Sequence, residues 1–181
     1  MPKRAPLETK DKLLQAATEF IATSGAANLT LDAVAAGAGI SKGGLLHHFP
    51  TKHALLRGVV GQVATFFKAR LERALETEPE GASGRWTRAY ITASFAYDPD
   101  ELQLTNAIAS IVTGDPALLH VFKEDFSWMD AQLERDGIPL ARAMVIRLAC
   151  DGLWVAEVVD SAPVGEPLRA ALRDELIGLT R

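Results

Sequence analysis

The stretch from Leu29 to Leu56, LTLDAVAAGAGISKGGLLHHFPTKHALL, leaves the chain little conformational choice. Thr30 and Ser41 are residue types that cap a helix by accepting a hydrogen bond from a backbone N–H one turn in. They predict two short helices, from about Leu31 to Gly37 and from about Lys42 to Phe49. Ala38, Gly39 and Ile40 between them are too few for anything but a tight turn, and Gly39 suits a position of positive φ. Two short helices that cross steeply need small residues at the crossing and an apolar plug below it. Ala35 and Gly39 are small, and Val34, Ile40, Leu45 and Phe49 supply a miniature core. The unit is a helix-turn-helix over residues 30–49. The second helix of such a unit enters a DNA major groove with its first residues at base edges.

The chain ahead of it reads as an arm and a support helix. Two prolines in MPKRAPL preclude a helix start before Leu7. Lys3 and Arg4 there either reach phosphates or a minor groove, or simply solubilise the terminus. From Glu8 to Ser24, Leu13, Leu14, Ala17, Phe20 and Ile21 recur at helical spacing, with Phe20 read as core, and Gly25 stops the helix. After the helix-turn-helix, Thr51 caps a long helix that runs to about Glu76. Its start belongs with the helix-turn-helix and its end with the helical body, so it is the natural lever between them.

Thr77–Gly84, TEPEGASG, is the clearest break. Beyond it, helices are expected at about 85–96, 100–113, 116–135, 139–161 and 166–179, separated by Pro- and Gly-containing punctuation. No segment alternates with period two over a convincing length. The class is all-α, with about nine helices. The domains are expected at residues 7–67, carrying the helix-turn-helix, and 68–181, a helical bundle.

Charge is divided along the chain. The total is −4. Through Arg57, however, seven Lys and Arg face four acids, a net of +3, and the remainder carries −7. A basic head on an acidic body suits a protein that meets DNA with one end. The single cysteine, Cys150, excludes an intramolecular disulfide and any multi-cysteine metal site. It lies among apolar residues on an expected helix and reads as a buried, inert thiol. No secretory signal and no run of membrane-spanning length is visible. The expected location is the cytoplasm, with no membrane, metal or cofactor.

The second helix of the motif is unusual. Gly43 and Gly44 cost about 1 kcal/mol each against alanine in a helix interior, less in a first turn. They are explained by close approach of the backbone to DNA, or by tolerance near a helix start. Few side chains are left to read bases. Lys42 can donate to guanine O6 and N7. His47 faces outward toward a base or phosphate. Thr30, Ser41 and His48 are placed for phosphates, with a partly buried structural role as the alternative for His48. Lys52 sits in a helix first turn, where a cation is unfavourable until an anion such as phosphate comes near. His47, His48 and His53 lack metal-ligand spacing with an acid or cysteine.

Thr30, Val34-Ala35, Ala38-Gly39-Ile40-Ser41-Lys42-Gly43, Leu45, His48-Phe49, Lys52 and Leu55 together resemble the DNA-binding domain of TetR-type repressors. With the preceding helix, the resemblance covers about a third of the chain. It implies a homodimeric transcriptional regulator, a repressor of a palindromic double-stranded operator, with an effector cavity in the helical body. It also implies a departure. Such proteins carry a tyrosine where Leu46 stands, its hydroxyl on a phosphate. Leu46 keeps the position on the DNA-binding face without that contact, and His47 is placed to compensate.

In the body, Leu119, Phe122, Phe126, Met129 and Leu133 form one stripe, and Trp86, Tyr90, Trp128 and Trp154 are spread over other helices. These large residues either pack a core or hold a small apolar effector. The pocket residues named for that role are Trp86, Tyr90, Phe126, Met129 and Trp154. The last two helices carry broad apolar faces. Ala141, Val145, Leu148, Ala149, Gly152, Ala156 and Val159 lie on one, and Leu168, Ala171, Leu172, Leu176 and Leu179 on the other. Two copies across a two-fold axis would bury them as a four-helix bundle, making residues 139–179 a homodimer interface. Burial against the 100–135 region is the alternative. An enzyme reading finds only Asp98, Asp100 and Glu101, whose spacing is that of a helix cap and solvated loop, so no catalytic residue is assigned. An architectural DNA-binding protein without effector is the remaining alternative.

Overall fold

The computed structural model describes residues 8–96, 102–120, 128–158 and 164–181. Among the described residues there are nine α-helices and no strand. They are α1 (Thr9–Ser24), α2 (Leu31–Ala38), α3 (Lys42–His48), α4 (Lys52–Thr77), α5 (Arg85–Phe95), α6 (Leu102–Gly114), α7 (Trp128–Arg135), α8 (Leu140–Val158) and α9 (Glu166–Gly178). Short 3-10 turns occupy Ala26–Asn28 and Pro116–Leu119. None of these helices is long and apolar enough to cross a membrane.

The helices gather into two compact units, one of residues up to 63 with 99–122, the other of 64–98 with 123–181. The units alternate along the chain. Helix α6 is the reason. Its Leu104, Ala107, Ile108 and Ile111 recur at helical spacing and are all buried, and α6 packs on α1.

In the first unit, α1 buries Leu13, Leu14, Ala17, Thr18 and Ile21 along one stripe. Phe20, read as core, is only half-buried, because Ala17 and Ile21 take the inward positions. Gly25 ends α1 at φ 80°. The 3-10 turn beyond it is held by α6, where Ser110 Oγ accepts a hydrogen bond from Ala26 N at 2.9 Å. Gly58 lets α4 approach closely, since a Cβ there would sit 2.9 Å from both Leu14 Cδ2 and Phe49 Cε1.

In the second unit the core is Phe67, Leu71, Ala74, Trp86, Ala89, Tyr90, Ile91, Ala93, Met129, Leu133, Ala143, Ile146 and Cys150. Phe66, next to the buried Phe67, is exposed. Helix α5 packs against α7, α8 and α9. Its N-terminus has no cap of its own, because Gly84 stands at the cap position. Asp136, on the loop after α7, supplies the missing acceptors to Trp86 N at 2.7 Å and Thr87 N at 2.8 Å.

The α-helix expected over 116–135 does not start at 116. Asp115 starts a new turn by accepting from Ala117 N at 3.1 Å, and Pro116–Leu119 is a 3-10 turn. Met129 and Leu133 of the expected stripe are buried on α7. Phe122 and Phe126 lie outside the described residues, as do Lys3, Arg4, Asp98, Asp100, Glu101 and Val159.

Candidate nucleic-acid interface

The helix-turn-helix is built by local hydrogen bonding. Thr30 Oγ1 accepts from Ala33 N at 3.2 Å and Ser41 Oγ from Gly44 N at 3.2 Å. Each satisfies one orphan donor of a first turn. Gly39 closes α2 in the left-handed region, φ 66° and ψ 31°. Ile40 N then reaches back to Ala35 O at 2.9 Å. Val34, Ala35, Leu45 and Phe49 are buried at the crossing, and Ile40 is half-buried. The helix ends match the sequence reading to within a residue, which is ordinary fraying.

On α3, Lys42, Gly43, Leu46, His47 and His48 are exposed. The first four are spaced i, i+1, i+4 and i+5, which is one face of a helix. The two glycines are different in kind. A Cβ on Gly44 would sit 3.0 Å from Ile40 Cγ2 and 3.3 Å from Ser41 Oγ, so the turn itself favours a small residue there. Gly43 has nothing within 4 Å. Leu46 is 38% exposed, an apolar side chain on an otherwise polar surface. The rings of His47 and His48 meet edge to face, centroids 5.3 Å apart, at the C-terminal end of α3. His48 is exposed, so it is not the partly buried structural histidine of the alternative reading.

Both lysines of the site are held by the protein. Lys42 Nζ lies 2.9 Å from Asp32 Oδ1 and 3.0 Å from Oδ2, bridging the first turns of α3 and α2. Lys52 Nζ donates to Ala27 O at 2.9 Å, which ties the start of α4 to the turn after α1. Thr51 Oγ1 caps α4 by accepting from Ala54 N at 3.0 Å. Sequence reasoning missed Asp32. It stands ten residues before Lys42, a spacing that no helix or strand period marks.

Most of the residues expected to line a pocket belong to the core of the second unit. Trp86, Tyr90 and Met129 are buried there, and Trp154 is half-buried on α8. Trp86 stacks on Tyr90 with centroids 5.4 Å apart, and Trp128 meets Trp86 edge-on at 6.1 Å. The Tyr90 hydroxyl donates to Asp151 Oδ1, and Arg147 pairs with Asp130 and with Asp151. Burial, and then the charge of Asp151, pushes the Tyr90 hydroxyl far up from its ordinary pKa. This polar network carries no sequence signal, because its members sit on three different helices. Cys150 is buried, and burial pushes its thiol up to about 12, with the Ser94 hydroxyl pulling slightly the other way.

The two terminal helices carry the exposed apolar faces. On α8, Ala141, Val145, Leu148, Ala149, Gly152 and Val155 are exposed, and Ala156 is half-buried. On α9, Leu168, Ala171 and Leu172 are exposed, as is Leu179 just beyond it, while Leu176 packs on the core.

The family model for bacterial regulatory proteins of the tetR family matches residues 13–59. The model for the tetracyclin repressor-like C-terminal domain matches residues 84–181, more than half of the chain. No curated protein matches the chain by sequence at a significant level. Solved structures share the fold. A transcriptional regulator from Rhodococcus sp. Rha1 superposes with a TM-score of 0.71 at 23% identity, over 96% of each chain. The multidrug binding protein EbrR, solved with imidazole, does so with 0.66 at 23% identity over 97% of each. The fatty acid degradation regulator FadR from Bacillus halodurans does so with 0.69 at 15% identity, over 99% of this chain and 97% of that one. With both ends of the chain matched by models of one family, the protein belongs to the TetR family of bacterial regulatory proteins and is a DNA-binding transcriptional regulator.

Proposed function

We propose that the protein is a ligand-responsive repressor that binds a palindromic operator as a homodimer in the cytoplasm. Helix α3 of each subunit enters one major groove. Lys42 donates to guanine O6 or N7, Gly43 admits close approach of the backbone, and His47 meets a base or phosphate. Thr30, Ser41, Gly44, His48 and Lys52 line the phosphate contacts, with Leu46 against the sugar edge. Residues 7–67 form the DNA-binding domain, and residues 68–181, of which α6 closes the core of the first unit, serve effector binding and dimerisation. The observation that carries this reading is the exposed Lys42–His48 face of α3, offered by a helix whose own core contact is Leu45.

The dimer forms through residues 139–179. The exposed Val145, Leu148 and Val155 of α8 and Leu168 of α9 support this, since large apolar side chains left exposed on a helix mark an interaction site. A small apolar effector binds in the body beside Trp86, Tyr90, Met129 and Trp154. That a protein of similar fold is named a multidrug binding protein supports a small-molecule ligand.

The test is selection of randomised duplex DNA by the purified protein at near-physiological salt, with the bound pool sequenced. An enriched inverted repeat is the expected result. Weak, steeply salt-dependent retention with no enriched sequence would overturn it in favour of an architectural DNA-binding protein that holds phosphates only.

A further inference from the structure

We propose that Asp32 is a specificity-determining residue, which holds Lys42 so that the lysine engages base edges in preference to phosphates. The inference rests on the reading of Lys42 as a DNA contact and deepens it. Lys42 lies in the first turn of α3, where the positive end of the helix dipole disfavours a cation, and Asp32 lies in the first turn of α2, where it favours an anion. The two side chains meet at 2.9 and 3.0 Å although both are mostly exposed. An ammonium has three donors. With Asp32 accepting from it, Lys42 keeps a donor for guanine O6 or N7. A phosphate brings a full negative charge next to Asp32 and is repelled. A guanine edge brings only partial charges and is not. Asp32 therefore penalises sequence-independent binding more than base readout.

The experiment compares Asp32→Asn with the unaltered protein on the selected duplex and on a random duplex, with affinity followed against salt. Random-duplex binding is expected to tighten by up to about fivefold, the scale of an exposed ion pair. The slope of log affinity against log salt is expected to steepen by about 0.9 for each lysine freed to reach a phosphate. The ratio of selected to random affinity falls. An unchanged ratio and slope would overturn the proposal, and so would an equal weakening on both duplexes together with a lowered melting temperature. Lys42→Met separates the two readings. If it leaves selected-duplex affinity unchanged, Lys42 does not meet DNA. If it weakens that affinity while Asp32→Asn changes nothing, only the role of Asp32 fails. In the Lys42→Met background the gain from Asp32→Asn should shrink, and an undiminished gain would reduce Asp32 to bulk charge and overturn its positioning role.

Discussion

Thr87 gives Asp136 both its backbone N–H, at 2.8 Å, and its hydroxyl, at 2.6 Å, while Asp136 Oδ1 takes Trp86 N. One carboxylate from a distant loop thus completes the start of α5, the helix about which the second unit is packed. Asp136→Ala leaves two N–H groups of a buried turn without acceptors and is expected to cost about 2–3 kcal/mol. Asp136→Asn keeps one carbonyl acceptor and should fall between. Urea unfolding followed by circular dichroism measures both. A loss near zero for the alanine variant would mean that water replaces the cap.

Two glycines should answer to alanine in opposite directions. At Gly58 the added methyl meets Leu14 and Phe49 at 2.9 Å, and the overpacking is expected to destabilise by about 1–3 kcal/mol. At Gly43 the space is open, so alanine should stabilise α3 by somewhat less than about 1 kcal/mol. Operator affinity should nevertheless drop, because the methyl occupies the surface that the DNA backbone approaches. Melting curves and a titration with the selected duplex check the pair. A Gly43→Ala protein that binds as well as the parent would rule out the close approach.

Leu148 and Val145 are 63% and 59% exposed within one chain. Leu148→Asp should therefore leave the subunit folded and convert a dimer to a monomer, with weaker operator binding because the two half-sites are no longer linked. Light scattering after size exclusion gives the mass. A dimer that survives the substitution would place the interface elsewhere.

Alkaline pH should destabilise the protein through Cys150 and Tyr90. The folded Cys150 thiol ionises near 12 against an ordinary value of 9.0. Between these values the unfolded chain has lost the proton and the folded chain keeps it, so stability falls as pH rises. It falls by about 1.4 kcal/mol per pH unit for one such group. The Tyr90 hydroxyl is displaced in the same direction and adds to the loss. Below pH 9 neither group contributes a slope. Unfolding free energy measured from pH 8 to 11 should show the decline, and Cys150→Ala should make it shallower. The same burial predicts slow reaction with thiol reagents at neutral pH until the chain unfolds.

The features legible in the sequence are those decided locally. Thr30, Ser41 and Thr51 cap their helices as their chemistry requires, and Gly39 takes the left-handed turn between α2 and α3. The face shared by Lys42, Gly43, Leu46 and His47 follows from helical period alone. The illegible part lies in pairings over long separations. Nothing near Ser110 announces that its hydroxyl will hold Ala26 N, and nothing near Asp136 announces Thr87. Asp32 reads as a helix-start acid until Lys42 is seen against it. At 116 the expected helix start gives way to a 3-10 turn, because Asp115 accepts from Ala117 N and Pro116 stands at its first position.

The unit that carries the helix-turn-helix is made of two stretches of chain, closed by α6. This sets an order of events during synthesis. When residue 63 has left the ribosome, α1 exists without the Leu104–Ile111 face that covers it, and its core is unfinished. The head matures only after about sixty more residues have emerged, and until then the nascent chain exposes an apolar stripe of the kind that invites misassembly. A fusion that borrowed residues 1–63 as a portable DNA-binding tag would borrow the recognition helix without the helix that closes its core.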